Sequence, residues 1–316
     1  MSSAIPPVSY RLHQTDPAAF AEALGKSYAR YGFAVVADHD LPQDMIEATL
    51  GRFKTFFSWP EAQKRRYHQP GLGGARGYTP FGIETAKGAR THDLKEFWHT
   101  GRDLPAGHAY GAWMPENVWV GEIDGFEAHV RALYAALDDF GRRMLRAIAH
   151  YLGLAADFFE GKVDRGNSLL RVLHYPPVPP EVATQSAGAV RAAAHEDINV
   201  ITLLLGAEEG GLEILTKDGQ WLPVNPPPGC IVVNIGDMLQ RMTNHTLPST
   251  THRVVNPPAE RAGHARYSMP FFLHFNPDVV IEPLPGCVTA DNPSRYPEPI
   301  TAQGYLEERL REIRLL

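Results

Sequence analysis

The sequence predicts a mainly β protein with flanking helices. From about Leu169 onward, short runs rich in β-branched residues are separated by Pro and Gly, which is typical of an all-β sandwich or barrel. Before that point, apolar residues recur at helical spacing. We therefore expect helices in the first half that pack against a β-rich core in the second.

Each expected helix has its own signal. Asp16 and Pro17 form a suitable N-cap and first turn, and Gly32 is a suitable stop. The carboxy-terminal segment 302–313 predicts a last helix that covers the core. Two apolar stripes predict further helices that face the core: Ile46, Leu50, Phe53 and Phe57, and then Phe126, Val130, Leu133, Leu137, Phe140, Met144 and Ile148.

The composition is that of an ordinary globular protein. The 316 residues are 44% apolar and 21% charged, which is enough to bury a substantial core. The net charge of −6 gives no reason to expect nucleic acid or an anionic membrane as a partner. The first residues lack a signal-peptide pattern, and no apolar run is long enough to span a bilayer. With only Cys230 and Cys287, we expect a cytoplasmic protein with reduced thiols.

One group of residues has the spacing of a metal site. His195 and Asp197 form an H-x-D triplet, and His252 follows 57 residues after His195. Residues i and i+2 of a strand point to the same face, so His195 and Asp197 can reach one ion. Two histidines and one carboxylate are the facial ligand set of non-haem Fe(II) oxygenases, which keep positions open for substrate and O2. The triplet alone is weak evidence for a metal site, so the interpretation depends on the neighbouring segments.

Those surroundings carry a family resemblance. The segments are GGLEIL after the triplet, VVNIGDMLQRMTN before His252, STTHRV around it, and RYS at Arg266 and Ser268; YGFAVV, FFSWP, GY and DLKEF precede them in order. With these motifs the chain resembles the isopenicillin N synthase-like family of Fe(II)/2-oxoglutarate-dependent oxygenases. The resemblance covers nearly the whole chain, and the motifs are specific jointly rather than singly.

The resemblance implies a double-stranded β-helix, or jelly-roll, core that is buttressed by amino-terminal helices. It divides the chain into an amino-terminal dioxygenase region (1–120), a long buttressing helix (121–165), the oxygenase core (166–280) and a carboxy-terminal extension with a helix (281–316). It also implies an enzyme that uses Fe(II), 2-oxoglutarate and O2 to hydroxylate or desaturate a small molecule, with release of succinate and CO2. We expect a monomer or weak homo-oligomer.

The resemblance assigns the co-substrate to Arg266, Ser268 and Tyr175. A buried guanidinium pairs well with the far carboxylate of 2-oxoglutarate. Two positions depart from the family pattern, since Leu173 replaces an Asn and His174 replaces a Tyr, and we expect His174 to face the pocket. Family members that use no 2-oxoglutarate keep the R-x-S pair for the substrate carboxylate, so the pair predicts a bound carboxylate more firmly than its source.

The substrate is not readable from the residues. By analogy, the pocket is expected to be lined by Tyr78, Phe81, Glu84, Phe97, His99, Arg171, His174 and His274. The glycine-rich segment 71–77 lacks the spacing of a nucleotide site. Asp237 is interpreted as a turn residue between two strands. His245 is a weaker candidate for the third metal ligand, in a turn-like setting.

Two alternatives stay open at this stage. One is an oxidase of the same fold that takes its electrons from the substrate or from ascorbate, with Arg266 binding the substrate. The other is a non-catalytic protein that binds a small molecule. The complete set of His195, Asp197 and His252 argues against a pure binding protein.

Overall fold

The computed structural model describes residues 5–81, 83, 95–177, 192–206, 210–255 and 264–312. Helices dominate the part before residue 165, and strands dominate the part after it. The helices are α1 (Arg11–Thr15), α2 (Pro17–Tyr31), α3 (Gln43–Phe57), α4 (Glu61–Lys64), α5 (Phe126–Tyr151), α6 (Glu160–Val163), α7 (Asp237–Met242) and α8 (Ala302–Glu312).

The strands form two larger sheets and one small pair. They are β1 (Pro7–Ser9), β2 (Phe33–Ala37), β3 (Gly77–Thr79), β4 (Glu96–Gly101), β5 (Leu169–Tyr175), β6 (Ala192–His195), β7 (Ile201–Leu205), β8 (Leu212–Leu215), β9 (Trp221–Pro223), β10 (Ile231–Ile235), β11 (His252–Val254), β12 (Arg266–Leu273), β13 (Val280–Ile281) and β14 (Ile300–Thr301).

The major sheet has the order β1-β2-β10-β7-β12-β5-β4-β3, and the minor sheet has the order β6-β11-β8-β9. Apart from the parallel pair β1–β2, the neighbours in both sheets are antiparallel. The two sheets pack face to face, since Phe33 and Val35 of the major sheet share a buried cluster with Leu212 and Ile214 of the minor sheet. The prediction of a β-rich core with flanking helices is confirmed.

Strands of the major sheet are buried on both faces, which explains their nearly continuous apolar runs. In β7, Ile201, Leu203 and Leu205 belong to the cluster under the helices, whereas Leu204 packs toward the minor sheet. Strand geometry sends alternate residues to opposite faces. Every second residue of the central strands therefore points into the space between the sheets.

The helices cover the outer face of the major sheet. Asp16 Oδ1 accepts a hydrogen bond from the N–H of Ala19 at 3.0 Å, and Gly32 ends α2 with a φ of 68°. The expected beginning and end of this helix are thus confirmed. The apolar stripe of α5 is buried as expected, and Tyr134 of α5 packs edge-on against Phe271 of β12. Among the helices that the structure describes, none combines the length and the apolar character needed to cross a membrane.

Close packing between α2 and α5 gives a stability test at Gly25. A Cβ atom there would lie 2.1 Å from the ring of Tyr151. We expect Gly25→Ala to lower the free energy of unfolding by about 1–3 kcal/mol through overpacking. Gly51→Ala in α3 is the matched control, because its Cβ meets nothing within 4 Å, and it should stabilise the helix by roughly 0.5–1 kcal/mol. Urea denaturation of both variants measures this difference, and equal effects would contradict the packing argument.

Candidate active site

Three side chains meet between the two sheets. His195 is the last residue of β6, His252 is the first residue of β11, and the two stand opposite each other in the strand pairing. Asp197 lies two residues beyond the end of β6, so a connecting segment places it there rather than the strand itself. The Nε2 atoms of both histidines lie 3.8 Å from Oδ1 of Asp197. One ligand atom from each residue fits within 4.8 Å of the others.

Backbone carbonyls fix the orientation of the two imidazoles. His195 Nδ1 lies 2.7 Å from the carbonyl oxygen of Ala193, and His252 Nδ1 lies 3.1 Å from that of Thr250. A carbonyl oxygen can only accept, so each Nδ1 carries the proton. In the neutral rings, both Nε2 lone pairs are therefore available toward Asp197, which is the tautomer that a metal ligand needs.

The two oxygens of the Asp197 carboxylate have different partners. Oδ2 accepts hydrogen bonds from Thr202 Oγ1 at 2.6 Å and from Asn234 Nδ2 at 2.8 Å, whereas Oδ1 faces the histidines. Burial alone would raise the pKa of Asp197, but the positive charge that His252 and His195 carry when protonated, together with the Asn234 and Thr202 donors, outweighs it and lowers the pKa. Asp197 is therefore held as a carboxylate with one oxygen directed at the site.

This donor set fits a divalent transition metal. Desolvation, followed by the neighbouring His252 imidazole, lowers the pKa of His195, which favours the neutral ring at pH 7. Two neutral imidazole nitrogens and one carboxylate oxygen match the facial triad of non-haem iron. His195 keeps 46% of its side-chain surface exposed, whereas Asp197 and His252 are buried. The site consequently opens toward solvent on the His195 side.

A cavity of about 100 Å³ extends from the three residues along the inner face of the major sheet. Arg266, Ser268 and Tyr175 lie at its other end, where Arg266 of β12 pairs with Tyr175 of β5. The Arg266 side chain is nearly buried, its Cζ lies 5.3 Å from the centre of the Tyr175 ring, and its Nη1 lies 3.5 Å from Ser268 Oγ. Among the residues that the structure describes, no partner accepts from Arg266 Nε.

A buried guanidinium with an unused donor is expected to bind an anion, because removing a charge from water raises the free energy unless the charge is paired. Asp197 is the acidic residue among the described residues that line this cavity. Its carboxylate already faces the two histidines. Arg266 is thus arranged to receive a carboxylate that is not part of the described chain.

Comparisons with known proteins match this geometry. The model of the 2OG-Fe(II) oxygenase superfamily matches residues 166–275, and that of the non-haem dioxygenase in morphine synthesis N-terminal region matches residues 5–122. A 2-oxoglutarate-Fe(II) type oxidoreductase of Emericella nidulans is 32% identical over 280 residues, which are 86% of this chain and 78% of that protein. A proline hydroxylase of Petromyces alliaceus is 33% identical over 305 residues, 92% of each chain.

The chain belongs to the 2OG-Fe(II) oxygenase superfamily.

Solved structures agree with this membership. The crystal structure of a 2OG-Fe(II) oxygenase family protein from Caulobacter crescentus superposes with a TM-score of 0.92 at 59% identity and covers 99% of this chain and 100% of that one. A Neurospora crassa protein in complex with alpha-KG and thymine superposes with a TM-score of 0.86 at 30% identity, covering 97% and 96%. The predicted family and the double-stranded β-helix core are confirmed.

This oxygenase is accordingly a 2-oxoglutarate-dependent dioxygenase that needs Fe(II), 2-oxoglutarate and O2. Enzymes of the family act on small-molecule substrates.

Some residues that were expected to line the substrate pocket do lie at the cavity. Arg171 lines it directly. Phe97 packs against Leu173 and Tyr175 of the cavity wall, and His99 Nε2 accepts a hydrogen bond from Arg171 Nε at 2.6 Å. Leu173, which stands at the family's Asn position, also lines the cavity and offers no polar group to a co-substrate.

Other expected residues lie elsewhere. His174 points to the opposite face of β5, between the rings of Phe57 and Tyr267, because neighbouring residues of a strand face opposite sides. The expectation that it faces the pocket is not met. Tyr78 donates a hydrogen bond to Glu96 on that same outer face. Phe81 lies near Lys64, His274 follows the last residue of β12, and Glu84 falls outside the described residues.

Asp237 and His245 were both expected in turns, and the structure places them differently. Asp237 begins α7 instead of forming a turn between strands, and burial raises its pKa to about 6. Its backbone N–H bonds the carbonyl oxygen of Asp197 at 2.7 Å. His245 does lie in a turn, with a φ of 63°, and its Nε2 contacts the Tyr296 hydroxyl at 2.6 Å. His245 is therefore not grouped with His195, Asp197 and His252.

Sequence reasoning missed the residues that support the triad. Thr202 and Asn234 hold the carboxylate of Asp197, and Lys95 and Phe272 also line the cavity. Asn234 gave a signal, since it is a polar residue inside the fully buried strand IVVNI. A buried amide needs hydrogen-bond partners, so its position alone suggested a polar group nearby.

A larger cavity of about 350 Å³ lies between β4 and α5. Its lining contains three arginines and three aspartates, several of which pair with one another, including Arg142 with Asp138 at 3.1 Å. None of the triad residues lines it. We therefore assign the chemistry to the smaller cavity between the sheets.

The hydrogen bond from Asn234 to Asp197 can be tested by substitution of Asn234. Asn234→Leu removes one of the two donors to Asp197 Oδ2, and we expect Fe(II) affinity to fall by about 10- to 100-fold. Anaerobic competition with a chromophoric chelator measures it. Thr100→Val is the control, since it alters a buried threonine of β4 that bonds Trp98 and does not touch the triad. Wild-type iron affinity in Asn234→Leu would show that the bond has no role in metal binding.

Proposed function

We propose that His195, Asp197 and His252 hold Fe(II), and that Arg266, with Ser268 and Tyr175, holds the far carboxylate of 2-oxoglutarate. The enzyme then hydroxylates or desaturates a small molecule. The observation that supports this most strongly is the buried guanidinium of Arg266, with an unused Nε donor, at the opposite end of the cavity from the three ligand atoms.

When bound, Fe(II) would activate O2 as the oxidant, with two electrons supplied by 2-oxoglutarate as it becomes succinate and CO2 and two by the substrate C–H bond that is oxidised. The chain itself holds the geometry. Asp197 presents one oxygen, because Thr202 and Asn234 occupy the other. Phe33, Leu204, Leu212, Pro270 and Phe272 give the cavity apolar walls that exclude water. No general base is required from the protein.

The sequence had left open an oxidase of the same fold that uses Arg266 for a substrate carboxylate. The 2-oxoglutarate interpretation is favoured because the Neurospora crassa protein, which superposes on this chain, carries alpha-KG in its crystal structure. A non-catalytic binding protein is disfavoured, since it would not require both Nε2 lone pairs to face Asp197 Oδ1.

The partners, the location, the oligomeric state and the division of the chain belong to the same proposal. We infer a small-molecule enzyme without nucleic-acid or membrane partners, in keeping with the net charge of −6. A cytoplasmic location is supported by Cys230 and Cys287, which are both free thiols. We retain the monomeric or weakly oligomeric state and the four-part division at residues 120, 165 and 280 as proposals.

The metal assignment predicts the effect of alanine at each ligand. In His195→Ala, Asp197→Ala and His252→Ala, we expect turnover to be lost. Anaerobic addition of 2-oxoglutarate to the Fe(II)-loaded wild type should give a visible charge-transfer band, and His252→Ala should not give it. His245→Ala is the matched control, as this histidine contacts Tyr296 and lies apart from the triad. Near wild-type turnover in any of the three ligand variants would show that the assignment of the metal ligands is wrong.

The carboxylate assignment is tested with two keto acids. Arg266→Ala should weaken 2-oxoglutarate binding by roughly 2–5 kcal/mol, the cost of breaking a buried charge pair. The affinity for 2-oxobutyrate, which has the same keto-acid end but no second carboxylate, should stay unchanged. Titration of the charge-transfer band with both ligands gives the two affinities. If Arg266→Ala binds both keto acids as the wild type does, the assignment of Arg266 to the far carboxylate of 2-oxoglutarate is wrong.

A further inference from the structure

The place where α2 ends and β2 begins lies against the candidate metal ligands. Gly32 ends α2, and Phe33 is the first residue of β2. We call these two residues the α2–β2 junction. Phe33 is buried, and it lines the cavity together with His252 and Asn234. The junction therefore brings the helical half of the chain to the site that the β-rich half builds.

The ring of Phe33 packs against the imidazole of His252. The ring centres are 5.4 Å apart and the ring planes meet at 75°, which is the edge-to-face arrangement that aromatic rings favour. His252 Nδ1 is bonded to the Thr250 carbonyl oxygen, and its Nε2 faces Asp197. The hydrogen bond holds one atom of the imidazole, and the Phe33 contact restricts its rotation. Together they limit the directions in which Nε2 can point.

Gly32 contacts the segment that carries the Thr250 carbonyl. A Cβ atom at Gly32 would lie 2.2 Å from Thr250 Oγ1 and 2.6 Å from the carbonyl oxygen of Pro248. In a close-packed interior such contacts require the neighbours to move. The φ of Gly32 is 68°, a left-handed conformation that glycine adopts readily. Because Gly32 has no side chain, the carbonyl that orients His252 can lie against the end of α2.

The same junction reaches the support of Asp197. Phe33 pairs with Asn234 across β2 and β10, and the carbonyl oxygen of Gly32 accepts from the N–H of Ile235 at 2.9 Å. Directly opposed residues of antiparallel strands have Cβ atoms roughly 4.5–5.5 Å apart. Asn234 Nδ2 donates to Asp197 Oδ2 at 2.8 Å. The α2–β2 junction thus lies beside the supports of two of the three candidate ligands.

The junction is itself held by α2. The N–H of Gly32 donates to the carbonyl oxygen of Tyr28 at 2.7 Å. The carbonyl oxygen of Phe33 accepts from Ser27 Oγ at 2.7 Å. The position of the Phe33 ring is therefore set by the helix as well as by the sheet.

We propose that Phe33 is a positioning residue for the metal ligand His252, and that Gly32 is a positioning residue for the Thr250 carbonyl that orients this histidine. The inference rests on the proposed function and deepens it, because it assigns the α2–β2 junction a role in metal affinity at the same site. Phe33 acts through His252, and Gly32 acts through Thr250.

Substitution of Phe33 tests the ring contact. Phe33→Leu keeps an apolar side chain but removes the ring, so the dissociation constant for Fe(II) should rise about tenfold, as for loss of a residue that orients a metal ligand. Anaerobic competition with a chromophoric chelator measures it. Val35→Ala is the matched control, since Val35 shares the strand and the buried cluster of Phe33 but is not among the described residues that line the cavity. It should keep wild-type affinity.

Substitution of Gly32 tests the contact with Thr250. In Gly32→Ala the new Cβ displaces Thr250, so the dissociation constant for Fe(II) should rise about 10- to 100-fold. Gly153→Ala is the control, because Gly153 lies just beyond the end of α5 with a φ of 70°, and a Cβ there would meet nothing within 4 Å. Both substitutions strain a left-handed residue, so only the contact differs, and Gly153→Ala should keep wild-type affinity. If Gly32→Ala does not fold, Phe33→Leu decides.

Proton NMR of the Co(II)-loaded protein separates positioning from a general loss of packing. The Nδ1–H protons of the two histidine ligands should give two exchangeable, paramagnetically shifted resonances. Phe33→Leu and Gly32→Ala should shift or broaden one and the same resonance, that of His252, and leave the resonance of His195 in place. Equal changes in both resonances, or no change in either, would contradict the positioning role.

The proposed function and the positioning role fail in different ways. If the wild type gives no charge-transfer band with Fe(II) and 2-oxoglutarate, the proposed function fails. If the wild type gives the band but Phe33→Leu binds Fe(II) as tightly as the wild type, the positioning role alone is wrong. It is also wrong if Val35→Ala loses as much affinity as Phe33→Leu, because general packing then explains the loss.

Discussion

The buried carboxylate of Asp197 joins the two sheets of this oxygenase. Through Oδ2 it is held by Thr202 and Asn234, which belong to adjacent strands of the major sheet. Through Oδ1 it faces His195 and His252, which pair with each other in the minor sheet. A buried charge is tolerated only where partners compensate its desolvation. The arrangement therefore fixes the direction of Oδ1, which is aimed at the two histidines.

The cavity follows from this constraint. Because alternate residues of each strand face opposite sides, the inner face of the major sheet carries Arg266, Ser268 and Phe272 into the cavity, while the outer face carries the apolar residues under the helices. A site built on paired strands is positioned more rigidly than a site on loops. The site formed by His195, Asp197 and His252 is exposed to solvent on the His195 side.

A polar network on the outer face of the major sheet supports the cavity wall. Glu96 of β4 accepts a hydrogen bond from Lys64 Nζ at 2.6 Å, lies 2.7 Å from His174 Nδ1, and also accepts from Tyr78. Burial alone would raise the pKa of Glu96, but these partners outweigh it and lower the pKa. The network ties α4 and β3 to β4 and β5. The same two strands present Phe97, His99 and Arg171 on the opposite face, so this part of the cavity wall is anchored from the outer face of the sheet.

The sequence by itself determined the helical and β-rich halves, the bounds of α2, and the motif that contains the candidate metal ligands, because periodicity, capping and ligand chemistry are local properties. Only the tertiary structure decided which face of a strand looks inward. It turned His174 away from the cavity, whereas Arg171 lines the cavity as the sequence analysis expected. Likewise, Asn234 and Thr202 support Asp197 through contacts between residues that are 37 and 5 positions apart. Such contacts depend on strand register, which is set by the packing of whole sheets and is absent from any local pattern.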